Sequence, residues 1–449
     1  MRKYLLGFTL ASGICFSTSA QEAVIPDFPI TLETAVETAL NNNLTLKRSE
    51  LNQLSTEATV LQNKGARLPT LSTGASTGFR WGRSINPANN LFEVGRIGNI
   101  NLSANSNISI YSGSRITNNL NQSKLNLEAG LYNIEATKND ITLNIINLFI
   151  NVVFNREQVN IAENQLASTT DQLARTTKLV EAGSLPLSDQ LDVQAQNATN
   201  QVNLVNAQNN YNISKLNLAQ ALQIPFTSDF AVVEPEFEIN KLLMATETPK
   251  DIFETAVEIM PEIRAAEVNI ESAAYGVKIA KGAYLPSLGL GANVFSNYVD
   301  KVRPDQDPSF NGQIKNNLSQ SLNLNLSIPI FSQFNNKASL QRARVQQQIS
   351  EVAALEVENQ LRNEIETAYN SALAAQLTCE SSLIQVSSLE ETFRISQQRF
   401  DLGAINSVDF QVAQNNLFNA QANLLNAKYT YIFRVKVLDF YLGNPINLN

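Results

Sequence analysis

Four stretches of the chain alternate between apolar and polar residues with a period of two. One face of each stretch carries mostly aliphatic, threonine and aromatic side chains, and the other carries mostly Ser, Gly and Asn. Such alternation is typical of a β-strand with one apolar face, and each stretch has at least the roughly nine to eleven residues with which a tilted strand crosses a bilayer. A half-buried strand of a soluble β-sandwich is the alternative. The predicted strands are residues 70–82, 100–110, 287–299 and 320–330.

Aromatic residues favour a membrane barrel over a sandwich. Phe79, Trp81 and Tyr298 lie near strand ends, where membrane proteins place an interfacial girdle. The linkers 83–98 and 300–317 contain Gly, Pro, Asn and Asp, and we expect surface loops there. A membrane barrel has no free edge and closes with roughly eight strands or more. Four spanning strands therefore require oligomerisation, and three copies give twelve strands.

Each strand pair is followed by a long segment almost without helix breakers. Residues 118–181 contain no Pro and a single Gly, and residues 338–401 contain neither. At 1.5 Å per residue, such a helix is about 100 Å long, which exceeds the depth of a globular core. A shorter helical segment follows each long one, at 186–224 and 406–441. The two segments predict a helical hairpin that turns at a glycine.

The shorter segments carry apolar residues every seven positions, which is typical of coiled-coil contact. A second stripe, rich in alanine, lies on another face, so we expect a neighbouring helix on both sides, as in a cylinder of helices. An ordinary antiparallel bundle is the alternative. The first stripe is Leu204, Tyr211 and Leu218 in one segment, and Leu417, Leu424, Tyr431 and Leu438 in the other.

The chain is a duplication. Gly183 and Asp189 recur 220 positions later as Gly403 and Asp409. A repeated unit of more than 200 residues predicts one body built from two copies. The predicted division is 21–229 for the first copy with its hairpin at 112–224, 230–250 for a joining segment, and 251–449 for the second copy with its hairpin at 332–441.

The N terminus resembles a secretory signal. Arg2 and Lys3 precede an apolar run, and Ala20 ends a small-residue cleavage site, so we predict a signal peptide at 1–20. Acylation at Cys15, as in a lipoprotein, is the alternative. The net charge of −8 argues against a nucleic-acid partner. The chain has no His and no motif for nucleophilic catalysis, metal binding or phosphate binding, so we predict no enzymatic activity and no cofactor.

Several sequence features resemble the TolC-type outer-membrane efflux proteins. They are the duplication, the Leu-Pro pairs at 68–69 and 285–286, the Ser-Ile-Pro-Ile-Phe segment at 327–331, and the hairpin turns at 179–189 and 399–409. The resemblance implies a mainly α fold with a β-barrel part. Three chains would form a 12-stranded barrel in the outer membrane of a Gram-negative bacterium and an α-helical tunnel in the periplasm. It further implies passive efflux or type I secretion, with a periplasmic adaptor protein and an inner-membrane pump as partners.

The resemblance also implies functional residues at the hairpin turns. The adaptor would dock at Gly183, Ser184, Leu185, Gly403, Ala404 and Ile405. The candidates for a periplasmic gate are Asp189, Asp192 and Asp409, since a ring of carboxylates around a narrow axis repels anions. Val412 replaces the second-copy counterpart of Asp192, and Ile405 stands where some members have a basic residue. Alternatively, these acids only complement the helix dipole.

A secreted or surface helical structural protein is the alternative function. Such proteins share the scarcity of His, Cys and Trp and the abundance of Asn and Gln. The duplicated strand pair and the signal sequence favour the outer-membrane channel.

Overall fold

The computed structural model describes residues 26, 28–85, 91–227, 229–233, 247–300 and 309–444. The predicted signal peptide, including Cys15, and most of the segment 230–250 lie outside these residues. Each copy of the duplication contains two shorter helices, two strands and a helical hairpin. In the first copy the elements are α1 (Leu32–Asn42), α2 (Leu44–Gly65), β1 (Thr70–Ile85), β2 (Phe92–Ser112), α3 (Arg115–Glu181) and α4 (Leu187–Ala221).

The second copy repeats this order with one added helix. Its elements are α5 (Pro249–Ile259), α6 (Pro261–Gly282), β3 (Ser287–Val299), α7 (Phe310–Asn316), β4 (Ser319–Ser327), α8 (Asn335–Asp401) and α9 (Ser407–Tyr441). Both α3 and α8 have 67 residues, and both α4 and α9 have 35. Local sequence sets the helix starts, since Thr31 and Thr248 each form a reciprocal capping box at the start of α1 and α5.

The strands form one antiparallel sheet in the order β1-β2-β3-β4. β1 pairs with β2 from Thr70↔Asn107 to Ile85↔Phe92, and β3 pairs with β4 from Ser287↔Ser327 to Phe295↔Ser319. Among the described strands, β1 and β4 therefore pair on one side only. The sheet has two free edges.

Three strand and loop predictions need correction. The linker 83–98 is not all loop, because cross-strand pairing of β1 with β2 continues to Ile85 and Phe92. The linker 300–317 contains α7, whose start is capped by the Ser309 hydroxyl, which accepts the Gly312 N–H at 3.1 Å. β4 ends at Ser327 rather than at residue 330, since Pro329 has no N–H to donate to a ladder.

Helix α7 covers the part of the β3 edge that β4 does not reach. The side-chain amide of Gln313 both accepts from the Val299 N–H and donates to the Val299 carbonyl, each at 3.0 Å. The Ser296 hydroxyl donates to the Ile314 carbonyl at 2.7 Å. A side-chain amide thus replaces the peptide group of a missing strand.

The helices pack side by side in two levels. Next to the sheet, α3 lies between α2 and α6, and α6 contacts α8. Next to the hairpin turns, α3 lies between α4 and α9, and α9 contacts α8. At the turn level, α4 and α8 are consequently the outermost helices of the chain.

The apolar core lies between the sheet and the hairpin turns. One cluster joins α1, α3, α4 and α9 around Phe149, Leu218 and Ile432, and a second joins α5, α6, α8 and α9 around Ile252 and Ile365. Towards the turns, buried positions become polar, as at Thr169, Gln172, Thr176, Asn200 and Gln414. Within the described residues, no helix combines the length and the apolar character needed to span a membrane.

Candidate functional site at the helical hairpin tips

The two hairpins turn through the same backbone motif. We call residues 182–186 the first tip and residues 402–406 the second tip. Gly183 and Gly403 have φ of +73° and +69°. In the first tip the N–H of Ser184 donates to the Leu179 carbonyl at 2.9 Å, and in the second the N–H of Ala404 donates to the Arg399 carbonyl at 2.8 Å. Each is the six-to-one hydrogen bond of a Schellman motif. The C′ position of this motif has a left-handed backbone, which glycine adopts readily, and Gly183 and Gly403 occupy that position.

The helices that leave the tips begin differently. The Asn406 side chain caps α9, accepting the N–H of Asp409 at 2.7 Å. At the start of α4, Pro186 provides no side-chain cap. Asp189 and Asp409 both lie in the first turn of their helices, where a negative charge complements the helix dipole. This location is compatible with the dipole interpretation of both acids.

Polar side chains hold the helices together near the tips. The Asn200 amide donates to the Thr169 hydroxyl at 3.1 Å and so joins α4 to α3. The Gln414 amide donates to the Ser168 hydroxyl at 2.8 Å and joins α9 to α3. The first bond lies within one hairpin, and the second joins the two hairpins near their tips.

A cavity of about 790 Å³ lies between the two tips, and we call it the tip cavity. Its apolar lining includes Phe393, Phe400 and Phe410, whose rings form a continuous cluster. The Phe410 ring centroid is 4.9 Å from that of Phe400, with which it stacks, and 5.5 Å from that of Phe393. The charged lining residues are Asp171, Arg175, Asp189 and Asp401, so carboxylates outnumber the single guanidinium.

One buried amide in the lining of the tip cavity has no hydrogen-bond partner. Gln172 is only 7% exposed, and its Nε2 atom makes no hydrogen bond. A buried donor without an acceptor costs about 1–3 kcal/mol, so Gln172 marks a local cost of packing beside the tip cavity. The tip cavity therefore offers an aromatic floor and an acidic rim.

A family model described as outer membrane efflux protein matches residues 35–222 and, again, residues 253–444. The chain belongs to the outer membrane efflux protein family. The two matches correspond to the two copies of the duplication, and each includes one hairpin with its tip. Membership confirms the predicted family and its outer-membrane location.

The relatives described below have low sequence identity to this chain. Alkaline protease secretion protein AprF of Pseudomonas aeruginosa is 21% identical over 68% of this chain, an alignment that spans 61% of AprF, less than two thirds of that protein. Outer membrane protein TolC of Vibrio cholerae is 24% identical over 69% of this chain and 68% of its own length. The Campylobacter jejuni CmeC outer membrane channel superimposes with a TM-score of 0.79 at 20% identity, covering 92% of this chain and 85% of CmeC. The predicted fold class is confirmed by this match.

The structure brings most of the predicted docking residues of this efflux family member to one place. Ser184, Leu185, Gly403, Ala404 and Ile405 all line the tip cavity. Gly183 lies at the apex of the first tip but outside the lining. Their role in docking stays a prediction.

The three gate candidates are not equivalent. Asp189 lines the tip cavity, and the Ser188 hydroxyl donates to its Oδ1 at 3.4 Å. Asp192 and Asp409 are exposed and do not line it. The predicted equivalence of Asp189 and Asp409 thus holds for the backbone position but not for the surroundings of the side chain.

Sequence reasoning missed the aromatic cluster and Gln172. The cluster has a detectable signal, because the positions 220 residues before Phe393, Phe400 and Phe410 are Leu173, Val180 and Gln190. An aromatic set confined to one copy marks a feature that the duplication does not require. Gln172 has no such signal, since it is one of many glutamines on these helices.

The predicted interfacial aromatics lie at the far end of the molecule, on the sheet. The Phe79 and Trp81 rings are 6.0 Å apart, and the Tyr298 ring lies 5.5 Å from Phe310 of α7. Phe79 and Trp81 are largely exposed. Their placement at a membrane interface stays a prediction.

Proposed function

We propose that three copies of this chain form a channel through the outer membrane, which passively exports cargo delivered by an inner-membrane pump through a periplasmic adaptor. The observation that carries the proposal is the sheet. All nine residues of β4 are exposed, and its leucines Leu322, Leu324 and Leu326 are 71%, 65% and 60% exposed. A contiguous apolar surface of this kind marks an interaction with lipid or protein.

The free edges of the sheet point to a closed assembly. Lipid cannot satisfy unpaired N–H and carbonyl groups, so the outer edges of β1 and β4 need partners within a membrane. Pairing of β4 with β1 of the next copy supplies them. Three copies of a four-stranded sheet give twelve strands, which is large enough for an aqueous lumen.

The helices provide the rest of the conduit. Each of α3 and α8 has 67 residues, which corresponds to a helix length of about 100 Å. A helix of that length extends well beyond a bilayer of about 30 Å hydrocarbon thickness. We infer that the helical part crosses the periplasm, with the tips facing the inner membrane.

The tip cavity is the proposed docking place for the adaptor. Its aromatic floor suits an apolar side chain, and its excess of carboxylates suits a cationic neighbour. One helical tip of a partner can supply an apolar and a cationic side chain together.

A photo-crosslinking residue at Ile405 tests the docking, with Glu57 on α2, far from the tips, as the matched control position. We expect a covalent adduct with a periplasmic protein at Ile405 and none at Glu57. Absence of an adduct at Ile405, or equal labelling at Glu57, would contradict docking at the tips.

Conductance in a planar bilayer tests the channel and its gate separately. We expect a small, cation-preferring conductance from the purified protein, because three copies of Asp189 and Asp409 would narrow and charge the mouth. The double variant Asp189→Ala with Asp409→Ala should conduct more, whereas Glu57→Ala should conduct like the parent. Unchanged conductance in the double variant would contradict the proposed acidic gate. Absence of conductance from the parent and every variant would contradict the proposed channel.

A further inference from the structure

One group of side chains on the sheet combines aromatic rings with arginines. Period-two alternation places Phe79, Trp81 and Arg83 of β1 on the same face of the sheet, and the register pairs Trp81 with Arg96 of β2. We call Phe79, Trp81, Arg83, Phe92 and Arg96 the rim patch. Its face is the one that carries Leu71, the face that the proposed barrel turns towards lipid. This inference rests on that proposed barrel.

Arg96 is held in place by its neighbours. Its guanidinium lies 4.7 Å from the centroid of the Phe79 ring and 3.3 Å from the Oδ2 atom of Asp300. Asp300 is fixed in turn, because its Oδ1 atom accepts the Gly98 N–H at 2.8 Å. Gly98 has no room for a side chain, since a Cβ atom there would lie 2.9 Å from both Asp300 and Phe79. Arg96 has further N–H donors beyond the one that faces Asp300.

Arg83 is a cation without a carboxylate partner among the described residues. Its guanidinium lies 5.0 Å from the centroid of the Phe92 ring. Stacking on a ring leaves the edge of the guanidinium, where its N–H groups point, available to an acceptor. The rim patch thus presents two oriented arginines and one carboxylate.

The position of the rim patch along the strands suits a lipid headgroup. Thr70 to Phe79 is about 30 Å of strand at roughly 3.3 Å per residue, or about 23 Å across the membrane at a tilt of about 40°. That height is close to the apolar band of about 25 Å of a typical outer-membrane barrel. Arg83 and Arg96 therefore lie just outside the hydrocarbon, at the level of the headgroups.

We propose that the rim patch binds a phosphate group of an outer-leaflet lipid headgroup. A planar guanidinium matches two oxygens of one phosphate in a bidentate geometry, and Trp81 and Phe92 pack against the adjoining sugar or acyl chain. The arginines supply the charge that is complementary to the phosphate, and the site continues the lipid-facing surface of the sheet.

Native mass spectrometry of delipidated protein tests the site with three probes: diphosphoryl lipid A, its fully dephosphorylated form, and inorganic phosphate. We expect retention of diphosphoryl lipid A and little retention of the other two, because the site needs both the phosphate and the apolar anchor. The variant Arg83→Gln with Arg96→Gln should retain at least about tenfold less diphosphoryl lipid A, since two charge-assisted contacts are lost. Arg80→Gln, on the opposite face of β1, is the matched control and should retain as much as the parent.

Equal retention of the phosphorylated and dephosphorylated lipids would overturn the proposal, as would an equal loss in Arg80→Gln. Arg96→Gln also breaks the ion pair with Asp300. If the double variant does not assemble, retention of diphosphoryl lipid A by the single variant Arg83→Gln tests the proposal instead. The same spectra report the copy number of each variant. A protein that conducts and is trimeric but shows no preference for phosphate contradicts only the lipid site, whereas a monomer contradicts the channel.

Discussion

The two helical hairpins have equal lengths and the same turn motif, yet their returning helices are packed differently. In α9 the heptad residues Leu417, Tyr431 and Leu438 are buried, as are Ala420 and Ala427 of the second stripe. In α4 only Leu218 of the heptad is buried, and Val202, Val205 and Ile213 are exposed. The two-stripe prediction is thus fulfilled within one chain for α9 and only on one side for α4.

The difference follows from position in the chain. α9 lies between α8 and α3, whereas α4 contacts mainly α3 and forms one edge of the protomer. The opposite edge is α8, where Leu373, Leu377 and Ile384 are exposed. Because both edges carry apolar residues that the chain does not cover, we infer that α8 of one copy packs on α4 of the next. The proposed trimer contact thus joins the second hairpin of one copy, through α8, to the first hairpin of the next, through α4.

The largest expected effect comes from a charge on the exposed stripe of α4. We predict that Val205→Glu reduces the trimeric fraction at least tenfold, because burying an unpaired carboxylate costs several kcal/mol. Size-exclusion chromatography with light scattering in mild detergent measures the fraction. Asn210→Glu, on a different face of α4, is the control and should leave the trimer intact. An intact trimer with Val205→Glu would contradict the proposed α8–α4 contact.

The matched tyrosines test the same comparison by stability. Tyr431 is 3% exposed, whereas its counterpart Tyr211 is only partly buried. We predict that Tyr431→Ala lowers the free energy of unfolding by about 3–5 kcal/mol, as for other large buried rings, and that Tyr211→Ala lowers it by about half as much. Thermal unfolding followed by circular dichroism compares the two variants. Equal losses would show that α4 is enclosed as fully as α9.

The helix starts after the tips predict a smaller difference. Removing the Asn406 side chain leaves the Asp409 N–H without its acceptor, so Asn406→Ala should cost about 1 kcal/mol. Pro186→Ala should cost less, because Pro186 makes no side-chain cap. Hydrogen exchange of the first turns of α9 and α4 reports the local effect. A larger rise in the exchange rate of α4 in Pro186→Ala than of α9 in Asn406→Ala would contradict this prediction.

The smallest effect concerns an acid that only the second copy has. Burial, followed by the charges of Glu364 and Asp140, raises the pKa of Glu262, and the matching position in α2 is Thr45. Because the folded pKa is raised, the stabilising contribution of protonated Glu262 is full below its unfolded pKa near 4.5 and is lost as pH rises through the folded pKa. Glu262→Gln should therefore make the unfolding temperature fall less between pH 4 and pH 8. Glu57→Gln is the control and should leave the pH dependence of the unfolding temperature unchanged. The same result for Glu262→Gln would contradict the prediction.

Local sequence predicted the four strands and the two helical hairpins, since glycine at the tips and period-two alternation in the strands each act within a few residues. It did not predict α7 or the end of β4 before Pro329. The helix ends Glu181 and Asp401 and the starts Leu187 and Ser407 lie within a residue of the predicted ones. The β1–β2 pairs beyond residue 82 escaped prediction, because cross-strand contacts stabilise a segment whose composition is that of a loop.

The candidate site was predictable only in part. The tip residues follow from the turn motif, which recurs at Gly183 and Gly403. The tip cavity depends on how two hairpins separated by more than 200 residues lie against each other. Neither the unpartnered amide of Gln172 nor the stacking of Phe400 on Phe410 is visible before those hairpins are placed.

The most direct test of the assembly is native mass spectrometry of the protein extracted from the outer membrane in mild detergent. An envelope-spanning tube with a shared wall predicts a particle with the mass of three chains, which dissociates only together with loss of the β-sheet signal. A particle with the mass of one chain that keeps its full β-sheet signal would mean that β1 and β4 need no partner, and would contradict the account.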